Sequence, residues 1–156
     1  MRKIVVGING SEASRQALRW AAGEAKLRGA TLGIVHSWRR PDKASGPLWP
    51  MPQLGGKFDT LAEVTEQRVA EDFLRNELDA TGVEATGVRI ERELVEGDPA
   101  ETLLAAARKS ELLVIGSSRD GKVGRAVLGD VAGRCVERAP CPVVIVAALL
   151  PASHVE

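Results

Sequence analysis

Two short apolar runs near the end of the chain constrain its fold more than any other feature. Residues 112–115 and 143–146 contain only leucine, valine and isoleucine, a composition typical of strands buried on both faces of a parallel sheet. A basic, glycine-rich segment follows the first run, and Gly129-Asp130-Val131 opens a helix before the second. Such a turn exposes backbone N–H groups where a phosphate can bind. The chemistry of the chain is therefore expected between these two strands.

The rest of the chain alternates between strand and helix patterns. Further strands are predicted at residues 3–8, 31–37 and 87–95, and further helices between Ser11 and Gly29, at 58–80 and from Pro99 onward. Asp98 is a good N-cap for the last of these helices. The alternation predicts an α/β protein with an open parallel sheet covered by helices. A ligand would bind at the carboxyl ends of its strands, near the topological switch point.

Aromatic and basic residues follow the second predicted strand. The segment from Trp38 to Gly56 is rich in proline and glycine and is predicted to be a long loop. Trp38 with Arg39 and Arg40 could stack on a nucleotide, although a solvated loop with one anchoring tryptophan is the simpler interpretation. His36 has no nucleophile or metal partner in the sequence, so we predict a packed or rim residue.

Composition narrows the functional classes. Basic and acidic residues both number 21 in a chain of 156 residues, so no global field attracts nucleic acid. The length fits one compact domain, and no spacing of metal ligands is present, so no metal is predicted. The apolar runs are too short for a secretory or membrane-spanning segment. We therefore expect a cytoplasmic protein that interacts with neither nucleic acid nor membrane.

The glycine-rich segment resembles the signature of the universal stress protein family, which is Gly-x-x-Gly, nine residues, then Gly-Ser/Thr. Gly116 and Gly129 hold the first and third glycine positions with the full spacer between them. Arg119 replaces the second glycine, and Asp130 replaces the Ser/Thr. The motif is therefore present in spacing and altered at two positions that contact ligand in the family.

The resemblance extends through nearly the whole chain. Residues 4–11 are similar to the first strand and turn of the family, and residues 139–143 to the entry of its last strand. It implies a single five-stranded parallel sheet of order 3-2-1-4-5 with helices on both faces, an adenine nucleotide alpha hydrolase-like arrangement. Residues 1–148 would form this domain and residues 149–156 a C-terminal tail. The order places strands 1 and 4 side by side and brings Asn9 next to Gly116.

The resemblance also implies a site for ATP or another adenine nucleotide. In nucleotide-binding members, an acidic residue at the position of Asn9 contacts the adenine side, the Gly116 loop holds ribose and phosphates, and the Gly129 turn binds terminal phosphates. Asn9 keeps an acceptor and gains donors. The predicted cofactor-binding residues are Gly7, Asn9, Ser37, Ile115, Gly116, Arg119, Lys122, Gly129, Asp130 and Val131.

Two interpretations of the altered motif remain open. In the first, the Asp130 carboxylate caps its own helix where a phosphate oxygen would bind, and Arg119 pairs with it and fills the pocket. In the second, Arg119 grips an anion, helped by Lys122 in a cationic loop. We favour the first, which predicts a non-catalytic, dimeric stress-response or interaction protein with weakened nucleotide binding. The second predicts an ATP- or AMP-binding regulatory switch.

Catalysis has little support in the sequence. Ser11, Ser117 and Ser118 are not followed by histidine and carboxylate in any recognisable order. An enzyme of the related α/β class is a distant third hypothesis. A weak ATPase would need the intact phosphate site.

The last strand predicts a homodimer. The strand order leaves residues 143–146 at a sheet edge, and no charge lies between Pro142 and Pro151. An unpaired apolar edge is an aggregation hazard, so it needs a cover. Family members commonly pair this strand with its twin across a two-fold axis. We therefore expect a homodimer through Val143, Val144, Ile145 and Val146.

Overall fold

The computed structural model describes residues 2–38, 57–118 and 129–148, with the backbone alone at residues 57–65 and 118. Arg119, Lys122, the predicted loop after Trp38 and the tail at 149–156 lie outside the described residues. The strands are β1 Lys3–Gly7, β2 Thr31–Trp38, β3 Ile90–Glu96, β4 Leu112–Ser118 and β5 Val143–Ala148. The helices are α1 Glu12–Arg28, α2 Lys57–Thr81, α3 Pro99–Ala107 and α4 Asp130–Arg138, with a 3-10 turn at Val83–Thr86.

The strands form one parallel sheet of order β3-β2-β1-β4-β5. At its centre, Val6 of β1 aligns with Ile34 of β2 on one side and with Val114 of β4 on the other. The chain moves outward from β1 to β3 and then crosses back to β4, so the strand order switches between β1 and β4. The predicted fold class, with order 3-2-1-4-5 and helices on both faces, is confirmed.

Hydrophobic clusters cover both faces of the sheet. Ile4 and Val6 pack with Leu18 of α1 on one face, whereas Val5 packs with Leu104 of α3 on the other. Ile4, Val5 and Val6 are all 0% exposed. A central strand that is buried on both faces has no polar face, which explains its continuous apolar run.

Helix α1 has the caps that its sequence predicts. The Ser11 hydroxyl accepts a hydrogen bond from the backbone N–H of Ser14 at 3.1 Å, and Gly29 ends the helix with a left-handed φ of 62°. Buried alanines, among them Ala17 and Ala21, face the sheet and let the helix approach it closely. This packing holds the first turn of α1 at the carboxyl edge of the sheet.

The largest differences from the predicted strand bounds are in β3 and β4. β3 begins at Ile90 rather than at Gly87, because Gly87 ends the 3-10 turn in a left-handed conformation with φ 78°. β4 continues past Gly116 to Ser118, because Gly116 and Ser118 align with Val146 and with Ala148 of the adjacent β5. The longer β4 carries Ser117 to the carboxyl edge of the sheet.

Among the described helices, none is long and apolar enough to cross a membrane.

Candidate functional site

A cavity of about 360 Å³ opens at the carboxyl edge of the sheet, where β1 and β4 separate. We call this cavity the cleft. Its lining comes from the ends of three strands and the first turns of three helices: Gly7, Ile8, Asn9, Ser11, Ser14, Val35, Ser37, Pro99, Leu103, Ile115, Gly116, Ser117, Gly129, Asp130, Val131 and Ala132. It therefore lies at the topological switch point, where open parallel sheets bind ligands.

Gly116 brings the floor of the cleft close to α1. A Cβ atom at this position would lie 2.4 Å from the carbonyl carbon and oxygen of Ala13 and 2.6 Å from the backbone nitrogen of Ser14. These are main-chain atoms, so no rotamer change could make room for a side chain. The fold itself thus requires glycine here, in addition to any role in contacting a ligand.

The polar groups at the start of α1 form hydrogen bonds with one another. Asn9 Oδ1 accepts hydrogen bonds from the Ser11 backbone N–H at 3.0 Å and from the Ser11 hydroxyl at 2.6 Å. The buried Ser14 hydroxyl donates to the Ser11 carbonyl at 3.0 Å and accepts from the Asn9 N–H. The acceptor oxygen of Asn9 is therefore occupied, and its Nδ2 amide is the group it can offer to a ligand.

The N-terminus of α4 has no side-chain cap. Its N-cap is Gly129, and no side chain among the described residues accepts a hydrogen bond from the first turn. The prediction that Asp130 caps this helix is wrong, because Asp130 already belongs to the helix as its first residue. The Asp130 carboxylate is 83% exposed and lies 3.8 Å from Arg134. Within the described part of the chain, no side chain therefore occupies the N–H groups at the N-terminus of α4, which lies at the edge of the cleft.

Arg134 joins α3 to α4 beside the cleft. Its guanidinium donates to Asp98 at 3.0 Å and to Glu101 at 3.1 Å. Arg138 also donates to Glu101, at 2.6 Å, and this hydrogen bond, with the charge of Arg138, lowers the pKa of Glu101. Sequence reasoning missed this cluster, although the spacing of four residues from Asp130 to Arg134 is the usual signal for a helical ion pair.

Ser37 and His36 lie side by side on β2 but have different surroundings. Ser37 lines the cleft, and its hydroxyl donates to the Gly97 carbonyl at 2.6 Å. His36 Nδ1 lies 3.1 Å from the Ile8 carbonyl oxygen, and its ring lies 4.3 Å from the ring of Phe73. The packed environment predicted for His36 is therefore observed.

The predicted site residues lie together wherever the structure describes them. Gly7, Asn9, Ser37, Ile115, Gly116, Gly129, Asp130 and Val131 all line the cleft, whereas Arg119 and Lys122 lie outside the described residues. The ligand-binding role of all these residues, described or not, stays a prediction. Sequence reasoning missed Pro99 and Leu103, which line the cleft but were predicted only as residues of the helix that Asp98 caps. They reach the cleft because α3 begins at the same edge of the sheet.

The parallel sheet, the cleft at its switch point and the helix N-terminus beside the cleft are the arrangement of the nucleotide-binding α/β fold. The model of the universal stress protein family matches residues 1–147, and the chain belongs to this family. The family resemblance predicted from the glycine motif is thus confirmed.

Related proteins that are named universal stress proteins support this assignment. The chain is 31% identical over 143 residues to a universal stress protein of Mycobacterium tuberculosis, a match that covers 92% of this chain and 47% of that protein. It is 32% identical over 148 residues to one of Thermus aquaticus, covering 93% of this chain and 98% of that protein. The chain spans about half the length of the mycobacterial relatives it matches.

Solved structures share the fold over almost the entire chain. Universal stress protein UspA from Lactobacillus plantarum is similar with a TM-score of 0.68 at 22% identity, covering 93% of this chain and 97% of that one. A universal stress protein in complex with cAMP is similar with a TM-score of 0.61 at 26% identity, covering 93% and 95%. The architecture is therefore that of the family.

Proposed function

We propose that the protein is a regulatory universal stress protein that binds an adenine nucleotide in the cleft without catalysing its turnover. The observation that carries the proposal is the N-terminus of α4, which meets the cleft and is capped by none of the described side chains. The N-termini of α1 and α3 are capped by Ser11 and by Asp98. Free N–H groups at the positive end of a helix attract a phosphate. The relative that holds cAMP supports an adenine nucleotide.

This proposal favours the second interpretation of the altered motif. The first required the Asp130 carboxylate to bond to its own helix, but that carboxylate is exposed and pairs with Arg134. A solvated carboxylate opposes a phosphate 4 Å away by about 1 kcal/mol. Asp130 should therefore weaken binding without preventing it. Phosphate contacts from Arg119 and Lys122 are part of the proposal.

The size and lining of the cleft suit a mononucleotide. Its volume of about 360 Å³ is near the lower end of the range for small-molecule sites, roughly 300–1,000 Å³. Val35, Leu103 and Ile115 contribute apolar surface to the lining, as a site for a flat aromatic base requires. The polar groups stand at the first turns of α1 and α4, so the cleft offers an apolar part and a polar part.

The hydrogen bonds around the cleft support a binding role rather than a catalytic one. The Ser11 and Ser14 hydroxyls are used within the first turn of α1, and the Nδ1 atom of His36 contacts the Ile8 carbonyl. Within the described residues, these contacts leave no serine paired with a general base in the cleft. Nucleophilic catalysis requires such a pair.

Substitutions at Gly129 test the proposal. An aspartate at this N-cap position would accept the free N–H groups of α4 where a phosphate would bind. A Cβ atom at residue 129 meets nothing within 4 Å, so the Cβ atoms of Gly129→Asp and of the control Gly129→Ala both have room. Calorimetric titration with ATP, AMP and cAMP should show binding to the wild type and to Gly129→Ala. Gly129→Asp should bind at least tenfold more weakly, about 1.4 kcal/mol.

Two results would contradict this proposal. The first is a wild-type protein that binds none of the three nucleotides. The second is a Gly129→Asp variant that binds as tightly as Gly129→Ala, which would mean that the N-terminus of α4 does not contact the ligand.

We also propose that the chain is a cytoplasmic homodimer, with residues 1–148 as the domain and 149–156 as a tail. β5 is an edge strand whose residues 143–146 are only half-buried, which supports pairing with a second copy. Val144→Lys should give monomer or aggregate in sedimentation velocity, whereas Val136→Lys, on the exposed side of α4, should leave the dimer intact. A wild type that sediments as a monomer at micromolar concentration would exclude the dimer.

A further inference from the structure

A glycine interrupts a row of aliphatic side chains inside the cleft. Val35 of β2 aligns with Gly7 of β1. Val6 aligns with Val114 of β4, so Ile115 lies on the other side of Gly7. Val35 and Ile115 are 1% and 6% exposed, and they line the cleft together with Gly7. Because glycine has no side chain, the row has a gap at Gly7, which we call the notch.

Leu103 of α3 fills the notch. A Cβ atom added to Gly7 would lie 2.9 Å from both Cδ atoms of Leu103 and 3.5 Å from its Cγ. The Leu103 side chain therefore occupies the space that a side chain at residue 7 would take. Leu103 is 5% exposed and also lines the cleft. At the notch, the surface of the cleft thus comes from α3 rather than from the strand.

The strands on either side of the notch are fixed by the sheet. β2 pairs with β1 and β3, and β4 pairs with β1 and β5, so Val35 and Ile115 stand on strands with a neighbour on each side. Leu103 reaches the notch from α3, a helix of nine residues. The depth of the cleft at the notch therefore depends on the size of one side chain.

We propose that Leu103 determines the size of the base that the cleft accepts, because it closes the notch against which the base packs. This inference rests on the proposed function. A flat base packs on apolar surface, which Val35, Leu103 and Ile115 supply. With Leu103 in the notch, the cleft has no room there for a substituent on the base. The wild type should therefore prefer an unsubstituted purine.

Leu103→Ala tests this role with AMP and three AMP derivatives that carry a phenyl or benzyl group at N6, C2 or C8 of the adenine. An engineered apolar cavity of about 150 Å³ binds benzene, so an opened notch suits such a group. In calorimetry, at least one derivative should bind to the wild type about tenfold more weakly than AMP does. Leu103→Ala should reduce that ratio of dissociation constants by about tenfold.

Leu104→Ala is the matched control. Leu104 is the next residue of α3, is 7% exposed and packs in the same cluster, but it does not line the cleft. Both substitutions remove the same atoms from the core, so both should lower the urea midpoint. Only Leu103→Ala should change the ratio for the substituted base, whereas a purely structural effect would be shared by the two variants.

A double variant closes the notch again. Gly7→Ala combined with Leu103→Ala places a methyl group where the Cδ atoms of Leu103 lie in the wild type. The double variant should therefore exclude the derivative that Leu103→Ala accepts. If Leu103→Ala does not fold, Leu103→Val, which removes one carbon atom, should change the ratio in the same direction by about threefold.

The outcomes separate this inference from the proposed function. A wild type that binds AMP and all three derivatives equally tightly would overturn the role of Leu103 and leave the proposed function standing. The same holds if Leu103→Ala and Leu104→Ala give the same ratio, or if the double variant still accepts the derivative. A wild type that binds no adenine nucleotide would overturn the inference and the proposed function together.

Discussion

The carboxylate of Asp130 lies 3.8 Å from the guanidinium of Arg134, one turn further along α4. Arg134 also donates to Asp98, whose carboxylate accepts the Glu101 N–H as the cap of α3. Asp130 thus belongs to a cluster of charges between two helices and does not bond to the N–H groups of its own helix. Asp130 therefore leaves the N–H groups at the N-terminus of α4 to a ligand, and the proposed nucleotide site depends on these groups.

Asp130→Ala should change the free energy of unfolding by less than about 0.5 kcal/mol. Its carboxylate is exposed, and its pair with Arg134 is a surface pair four residues apart, of a kind that contributes little. Replacing a capping aspartate by alanine would instead lower the stability by about 0.5–2 kcal/mol. Urea denaturation separates the two cases, and a loss of roughly 1 kcal/mol or more would restore the capping role.

Gly116→Ala should destabilise the protein by about 1–3 kcal/mol, because the added methyl group meets main-chain atoms of α1 at 2.4 Å. Gly133→Ala is the control. A Cβ atom added to Gly133, inside α4, would meet nothing within 4 Å, and this substitution should stabilise the helix by roughly 0.5–1 kcal/mol. Thermal and urea denaturation measure both variants. Equal stabilities would mean that β4 and α1 are further apart than described.

Arg15→Ala should destabilise the protein by leaving the Glu77 carboxylate without its partner. Arg15 donates to both Glu77 oxygens, at 3.0 and 2.9 Å, and the Glu77 side chain is 4% exposed. We expect a loss of about 2 kcal/mol, less than for a fully buried pair, because Arg15 is 37% exposed. Arg19→Ala, whose bond to the Ala80 carbonyl is long and exposed, should cost less than about 0.5 kcal/mol. If Arg15→Ala and Arg19→Ala lost similar stability in urea denaturation, this result would argue against the pair between Arg15 and Glu77.

Glu101 should make stability fall in acid. Its hydrogen bond with Arg138 lowers its pKa from the ordinary value of 4.5, so the folded state holds the ionised form more strongly than the unfolded state does. The stabilisation is complete above the unfolded pKa and is lost as pH falls through the folded pKa. Urea midpoints of wild type and Glu101→Gln should therefore converge as pH falls below about 4.5. A difference that stays constant from about pH 7 to about pH 3 would contradict the linkage.

The elements of this fold could be predicted because they follow from local patterns. The apolar runs at 112–115 and 143–146 are strands in the structure, and Asp98 caps α3 as its position before Pro99 predicts. Periodicity and capping depend on neighbours in the sequence, so the chain alone reveals them. The strand order, in contrast, came from the family resemblance, because local pattern does not determine which strands pair.

The details of the cleft depend on tertiary geometry that local patterns do not contain. Aspartate is a strong N-cap residue, so the sequence favoured Asp130, yet the extended backbone at Gly129 shifts the cap by one position. Gly116 was predicted as a ligand contact, while its close approach to α1 became visible only once the helix was packed on the strand. The Ser117 hydroxyl is buried without a hydrogen-bond partner, and this too becomes visible only in the folded structure.

An NMR titration of isotope-labelled protein with AMP tests the proposed nucleotide site most directly. The backbone amide signals of Asp130, Val131 and Ala132 should shift together in a saturable manner, because these N–H groups lie at the N-terminus of α4. Amides of the same helix near Arg138 should move far less. Saturable shifts confined to other parts of the chain, or none at millimolar AMP, would contradict a nucleotide site at this helix.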